Sequence, residues 1–293
     1  MKPGNLAGII WMLISGVFFV AVTVIVRYLG SSLPAVEAAF IRYAFGLLLI
    51  APVLWRMRPG MMDRSVAKLH AARGLVHGVG VMLWFFAMAR IPVAEVVAVG
   101  YTAPLFIIAG AAIFLKENLP RSKIFAMIIG FVGVLIIVRP GFQVVDIGMV
   151  AQLLASPFFA GSFLLAKKLT DTRSPTEVVV MLSISCTLVL LPGALLQWRT
   201  PTGSELFWLF LTAVCATAGH YALTRALGAA PVTVTQPVTF LQLIWATMIG
   251  ALMFGEPADI YVIFGAAVIV AVACFTSHQD LWASRSRNSR PRA

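Results

Sequence analysis

The side chains best suited to holding a solute are polar and aromatic residues that recur at helical spacing inside long apolar segments. His77, Val81 and Trp84 share one face of such a segment, because positions three, four and seven apart lie on one side of a helix. His220 shares a face with threonines on another segment. The residues that this argument predicts to bind a substrate are His77, Val81, Trp84, Tyr101, Ser156, His220, Thr239, Gln242, Trp11 and Ser15.

This set is suited to recognition rather than to making or breaking bonds. Imidazoles, amides and hydroxyls can bond to the ends of a zwitterion, while aromatic rings pack on its apolar body. Polar groups that face lipid are costly, so we expect these faces to look inward. Two other interpretations stay open: a Ser or Thr can bond a neighbouring helix instead, and Trp11 can belong to the aromatic belt at the membrane interface.

Three charged residues, Glu95, Glu37 and Arg42, are candidates for a proton relay or a gate. Arg42 lies deep enough in its segment to need a partner, which could be Glu37, Glu95 or a backbone carbonyl. Glu117 and Glu256 end apolar segments beside short turns and are interpreted as capping or gate-loop residues. Since no pair of carboxylates stands at the centre of a segment, proton coupling and facilitated diffusion both stay open.

Enzymatic chemistry finds little support in the sequence. Cys186, Cys215 and Cys274 lack paired spacing, which argues against a disulfide framework and a metal site. No Asp-rich pair and no Gly-rich Lys-Ser or Lys-Thr loop occurs, so we predict no cofactor. A membrane-embedded enzyme acting on lipids is the alternative of another class, and it would need clustered carboxylates or a nucleophile with its base.

The candidate residues are carried by ten long apolar segments. The chain has 293 residues, 60% of them hydrophobic and 11% charged, whereas a soluble domain has about 25% charged residues. About 20 apolar residues cross a bilayer core, and these segments are apolar on all sides, unlike barrel strands. The segments are predicted near 6–28, 36–55, 70–90, 93–115, 123–139, 147–166, 176–197, 206–226, 232–254 and 259–278. Prolines 104, 157, 192 and 237 are expected to interrupt or kink their helices. The fold class is therefore an all-α membrane protein with ten transmembrane helices.

The joints between segments alternate between rich and poor in Lys and Arg. With the N-terminus inside, 17 of these residues fall on the inner side and 5 on the outer side. Cytoplasmic loops carry the excess of Lys and Arg, so both termini are predicted to face the cytoplasm. Membrane-flanking loops also explain the net charge of +11, and we predict contact with membrane lipids and no binding of nucleic acid.

The chain also repeats itself weakly. Ala-Met-Ala-Arg at 87–90 and Ala-Leu-Thr-Arg at 222–225 are each followed by a joint and then by an apolar helix that ends in Glu. Five helices per half is an odd number, so the second half enters the membrane inverted. The predicted organisation is one carrier domain over 1–278, with repeats near 6–140 and 147–278 and a basic cytoplasmic tail over 279–293.

These features resemble the drug/metabolite transporter superfamily, in its ten-helix group of two EamA-type repeats. The resemblance is carried by 37–52 with its Arg42, by the two Ala-x-x-Arg joints, and by Pro104 thirteen residues before Glu117. The second repeat often has Pro where this chain has Leu243, and Pro237 lies earlier, so the kink of the ninth segment is expected about two turns from the family position.

The resemblance implies a bacterial inner-membrane carrier, monomer or homodimer, that moves a small-molecule substrate by alternating access. The aromatic-rich segments look most like the branch that exports aromatic and other neutral amino acids. Efflux of drugs or other metabolites is the alternative within the superfamily.

Overall fold

The computed structural model describes residues 3–56, 63–114, 121–139, 145–170, 172–230, 238–239 and 241–288. All regular elements in these ranges are helices. They are α1 (Pro3–Leu29), α2 (Ala35–Arg56), α3 (Arg64–Met88), α4 (Val93–Gly100), α5 (Ala103–Phe114), α6 (Arg121–Val138), α7 (Ile147–Thr170), α8 (Pro175–Leu196), α9 (Gly203–Ala229), α10 (Leu241–Phe254) and α11 (Ile260–Asn288).

The helices have the length and apolar surface that a bilayer requires. Six described helices are long and apolar enough to cross a membrane, and four shorter apolar stretches match the remaining predicted segments. Large apolar side chains remain exposed along them, such as Leu48, Phe125 and Leu252, which a lipid environment accommodates without cost. The prediction of an all-helical membrane fold is confirmed.

The polar joints end the helices as their composition predicts. Ser174 caps α8 by accepting a hydrogen bond from Glu177 N at 3.2 Å, and Thr202 and Glu205 form a reciprocal capping box at the start of α9. Gly30 and Gly255, which follow α1 and α10, have φ of +62° and +64°. Glycine adopts this left-handed conformation at low cost, so it ends a helix cleanly.

The fourth apolar segment, predicted as one helix over 93–115, is broken at Tyr101 and Thr102. Pro104 has no N–H to donate to the Gly100 carbonyl, so the hydrogen-bond ladder stops there. The Thr102 hydroxyl donates instead to the carbonyl three residues back, at 2.7 Å. The helices α7 and α8, by contrast, continue through their prolines, so the expected interruption is absent at both. The expected kink at Pro237 lies outside the described residues.

The helices pair in a pattern that survives exchange of the two halves. The most extensive packing is α1 along α9 and α3 along α7, and α2 packs on α8, α4 on α10 and α6 on α11. Exchanging each helix for the one of the same rank in the other half turns the first pair into the second and leaves the others unchanged. A two-fold pseudosymmetry produces this pattern.

Small residues allow a close crossing of α6 and α11. A Cβ added at Gly133 of α6 would lie 2.9 Å from the Gly265 carbonyl of α11, and one at Gly265 would lie 2.6 Å from the Gly133 carbonyl. Because membrane helices associate through close packing rather than through the hydrophobic effect, this contact needs glycine on both sides. The main apolar core extends from Phe85 and Met88 of α3 to Ile137 of α6 and Ile269 of α11.

Candidate functional site

Two histidines from different halves meet between the helices. His77 of α3 is buried, His220 of α9 is half-buried, and their ring centroids are 6.2 Å apart. His77 Nδ1 lies 3.0 Å from Ser162 Oγ of α7, which orients its ring. Both histidines were predicted as inward-facing, and the structure brings them together.

Aromatic rings surround the histidine pair. Phe159 of α7 lies 5.3 Å from the His77 ring and 6.0 Å from the Trp84 ring, in edge-to-face geometry. Phe19 of α1 lies 5.1 Å from the His220 ring. We call His77, Trp84, Phe159, Phe19 and His220 the central cluster. Its rings come from both halves and offer apolar faces, while its imidazoles offer hydrogen-bonding edges.

A narrow cavity adjoins the central cluster. It is lined by Arg42, Tyr43, Gly46, Val179, Leu182, Ser183, Thr217 and His220. In this conformation it has room for about one water molecule. A substrate therefore needs the surrounding helices to separate before it can enter.

Arg42 enters this cavity from α2 and is 6% exposed. Its guanidinium carbon lies 4.0 Å from the centre of the Tyr43 ring, and its Nη1 has no hydrogen-bond partner among the described residues. None of the predicted partners lies within ion-pair distance: Glu37 instead accepts a hydrogen bond from Arg199 N at 3.0 Å.

Arg73 of α3 is also buried, and its Nη1 donates to the Val178 carbonyl at 3.0 Å. The count of 17 inner and 5 outer Lys and Arg residues includes Arg73 on the inner side and Arg42 on the outer side. Both lie between helices and not in loops. Removing one residue from each side leaves the positive-inside bias intact.

A second group of predicted residues lies at the break in the fourth segment. Tyr101 Oη donates to the Thr239 carbonyl at 3.0 Å and accepts from Leu243 N at 3.1 Å, joining the break to the start of α10. Ser156 Oγ lies 2.8 Å from Thr102 Oγ1. Gln242 lies against Gly16 of α1, where an added side chain would be 3.0 Å from its Cγ. These contacts hold helices together at the break.

Three predicted binding residues lie apart from the central cluster. Ser15 donates to the Gly219 carbonyl at 3.0 Å, a contact between α1 and α9. Trp11 packs edge-on against Tyr221, which is 54% exposed on the outside of the bundle. Val81 is buried in the apolar core. Helical spacing identifies residues that share a face, but it does not distinguish a face on a cavity from a face on a neighbouring helix.

The ends of α1 and α10 and the start of α4 meet at Glu256. Its Oε1 lies 3.0 Å from Arg27 Nε, and its Oε2 accepts a hydrogen bond from Val93 N at 2.9 Å. A carboxylate at a helix N-terminus is favoured by the helix dipole. Arg139 and Asp259 form a second ion pair at this end. We call this set of five residues the clasp.

Glu95 is half-buried on α4, within the electrostatic reach of Asp259 and Arg139. Glu95 therefore lies at the same end of the molecule as the clasp and apart from the central cluster. Glu117 lies outside the described residues. In the part of the chain that the structure describes, no group of three His, Cys, Asp or Glu residues could hold a metal ion.

The sequence model of one family covers both halves of the chain. The EamA-like transporter family matches residues 6–139 and again residues 146–278. The chain belongs to this family. The EamA-like fold has ten membrane helices, so the resemblance drawn from the sequence is confirmed.

Full-length relatives of this EamA-like transporter are named for different solutes. A riboflavin transporter of Rhizobium johnstonii is 29% identical, over 94% of this chain and 92% of that protein. An S-adenosylmethionine uptake transporter of Rickettsia felis is 28% identical, over 94% of each. A pseudopaline exporter of Pseudomonas aeruginosa is 27% identical, over 92% of this chain and 94% of that protein.

A solved crystal structure with 17% sequence identity has a TM-score of 0.59 and covers 93% of this chain and 95% of that chain, so the two share the fold. The EamA-like protein is thus a multi-pass membrane transporter of small molecules and not an enzyme. Relatives named for uptake and for export both occur, and none of those described above is named for amino acids.

Sequence reasoning missed Ser162, Tyr43 and Phe19. Ser162 continues the face of Ser156 and Phe159 by one more step of three residues, so its signal was present. Tyr43 lies one residue after Arg42, which was considered for its charge and not by helical spacing, and Phe19 lies four residues after Ser15. A shift of one residue is below the resolution of a periodicity argument, because one residue turns a helix by about 100°.

Proposed function

We propose that this EamA-like protein is a secondary carrier whose translocation path passes the central cluster. The observation that carries the proposal is that α1, α3, α7 and α9, two from each half, supply its rings. A site shared by two halves opens to either side when the halves rock against each other. The narrow cavity corresponds to a state with room for about one water molecule and none for a substrate.

The two halves are proposed to be inverted repeats near 6–140 and 147–278, with the tail over 279–293 and both termini in the cytoplasm. The positive-inside bias supports this orientation. A cysteine test is available because Ser204 and Ser65 are exposed at opposite ends of the bundle. In intact cells a membrane-impermeant maleimide should label Ser204→Cys and spare Ser65→Cys. The reverse labelling would invert the orientation.

The substrate proposed is a neutral or aromatic amino acid, moved outward in the bacterial inner membrane. Imidazole edges and aromatic faces side by side suit a zwitterion that carries an apolar group. A second candidate is a larger metabolite with a planar ring, moved inward, and the riboflavin and S-adenosylmethionine transporters among the relatives favour it.

One experiment separates these candidates. Purified protein is reconstituted in liposomes, and the flux of labelled phenylalanine, leucine, riboflavin and S-adenosylmethionine is followed with and without an excess of unlabelled solute. Saturable flux that unlabelled amino acid competes supports the first candidate, and saturable flux of riboflavin or S-adenosylmethionine alone supports the second. Equal flux through empty and protein-containing liposomes for all four solutes would overturn the proposal as stated. Counterflow from preloaded liposomes then separates a carrier from a channel, since only a carrier exchanges solute.

A further inference from the structure

One arginine, Arg42, lines the cavity beside the central cluster, and a second, Arg73, is buried on α3 without lining it. Arg42 and Arg73 are 6% and 9% exposed, and neither forms an ion pair among the described residues. The carboxylates nearby along the chain bond to other groups. Glu37 Oε2 accepts from Arg199 N, while its Oε1 is buried without a partner among the described residues, and Glu177 lies 3.6 Å from Arg173. An uncompensated buried charge is strongly destabilising. Two buried arginines without an ion pair therefore indicate that their positive charge has a function.

The two guanidinium groups differ in their position relative to the cavity. Arg73 donates from Nη1 to the Val178 carbonyl of α8, has its Nε buried without a partner among the described residues, and does not line the cavity. Arg42 lines the cavity, and its Nη1 is buried without a partner within the described part of the chain. A guanidinium carries five donors in a planar fork. Arg42 is therefore the cavity-lining cation with a donor to spare.

The rest of the cavity favours a negative guest. Both guanidinium groups act electrostatically on the His77 and His220 rings, so the positive field extends to the central cluster. In a water-poor interior such a field is much stronger than at a surface.

We propose that Arg42 binds the carboxylate of the transported substrate while the central cluster holds its apolar part. A carboxylate matches the guanidinium fork through two parallel hydrogen bonds. The substrate class is then a small organic acid or zwitterion with an aromatic or aliphatic body. This inference rests on the proposed carrier function and narrows it, since neutral amines and cations without a carboxylate are excluded.

The test uses a ligand series on the purified wild-type protein, with thermal unfolding as the readout, because a ligand that binds the folded state raises its melting temperature. The probes are phenylalanine, phenylacetate, phenylalaninamide, phenethylamine and phenyl phosphate. Phenylalanine and phenylacetate should stabilise the protein, and phenylalaninamide and phenethylamine should not. Equal stabilisation by acid and amide would overturn the proposal. So would stabilisation by the phosphate ester alone, which would assign the cavity to a different anion.

Substitution of Arg42 makes the same test at the residue. Arg42→Gln should weaken the binding of phenylalanine about 10- to 100-fold, which is the range expected for loss of a charge-assisted hydrogen bond. Arg42→Lys should restore part of the affinity. Arg225→Gln, an exposed arginine that contacts Tyr221, is the matched control and should leave affinity unchanged. Unchanged affinity in a folded Arg42→Gln protein contradicts the proposal.

These outcomes are distinct from failure of the carrier proposal. If the amide is transported as well as the acid, the carrier stands and the role of Arg42 is wrong. If none of the ligands binds and no solute is exchanged, the carrier proposal itself fails. The ligand series needs no variant, so it decides the matter even if Arg42→Gln does not fold.

Discussion

The clasp and the central cavity differ in whether their charged groups have partners of opposite charge. At the clasp each carboxylate has a donor: Glu256 has Arg27 and Val93 N, and Asp259 has Arg139. At the cavity Arg42 and His220 both line the wall, no carboxylate is among the described lining residues, and Arg42 Nη1 has no partner among the described residues. A satisfied polar group stabilises one conformation, whereas an unsatisfied buried group has capacity left for a ligand.

This difference indicates that the clasp and the cavity have different roles. The clasp joins α1, α4 and the turn after α10, so it holds elements of both halves together at one end. The cavity lies where the same two halves meet in the middle. We therefore expect substitutions at the clasp to change stability and the balance between conformations, and substitutions at the central cluster to change transport.

The largest effect is expected at the central cluster. Trp84→Ala and His77→Ala should each reduce substrate flux about tenfold or more, because loss of about 1.4 kcal/mol of substrate contact is a factor of ten. The measurement is initial flux in liposomes at equal amounts of folded protein. Trp55→Ala is the matched control, since Trp55 is 92% exposed. Wild-type flux in both cluster variants would remove the cluster from the path.

The next largest effect is expected at the clasp. Glu256→Ala should reduce the free energy of unfolding by about 2 kcal/mol, because charged hydrogen bonds contribute about 1.5–3 kcal/mol and Arg27 is partly screened. The readout is thermal unfolding, together with maleimide labelling of Ala38→Cys, a buried position at the same end. Labelling should become faster in the Glu256→Ala background.

Glu177→Ala is the control for the clasp, since its ion pair with Arg173 joins two partly exposed side chains at 3.6 Å. Such a pair contributes only about 0.2–1 kcal/mol. If the two Glu variants have the same stability and the same labelling rate, the clasp does not close this end of the molecule.

A smaller effect is expected where a predicted binding residue lies between helices. Ser15→Ala removes one hydrogen bond to the Gly219 carbonyl and should lower stability by about 0.6 kcal/mol, typical of such bonds between membrane helices. Flux should stay at the wild-type level. Reduced flux with unchanged thermal stability would return Ser15 to the substrate path.

The smallest effect is expected at the more exposed part of the clasp. The side chains of Arg139 and Asp259 are 24% and 26% exposed, so Asp259→Asn should cost about 0.2–1 kcal/mol. The Asn side chain can still accept the hydrogen bond from Tyr261 N, which isolates the charge. Thermal unfolding at low and high salt tests this, because screening should remove the difference. A difference that persists at high salt means that the pair is effectively buried.

The predictable part of this molecule follows from local composition. The apolar segments, the turns at Ser174 and Thr202, and the inward placement of His77 and His220 follow from helical period and from the cost of polar groups in lipid. The break at Tyr101 could be predicted from the sequence, because Pro104, three residues later, has no backbone N–H to donate. The family resemblance added the fold, and it did not identify the substrate.

What the sequence determined by itself is the number of membrane segments, their joints and the class of protein, because each crossing of a bilayer needs about 20 apolar residues and internally paired backbone groups. What only the tertiary structure decided is which polar groups meet. The clasp joins Arg27 to Glu256 across most of the chain, and Ser15 meets Gly219 instead of a cavity. These contacts depend on how each helix is rotated and shifted against its neighbours, and one residue of error turns a side chain by about 100°.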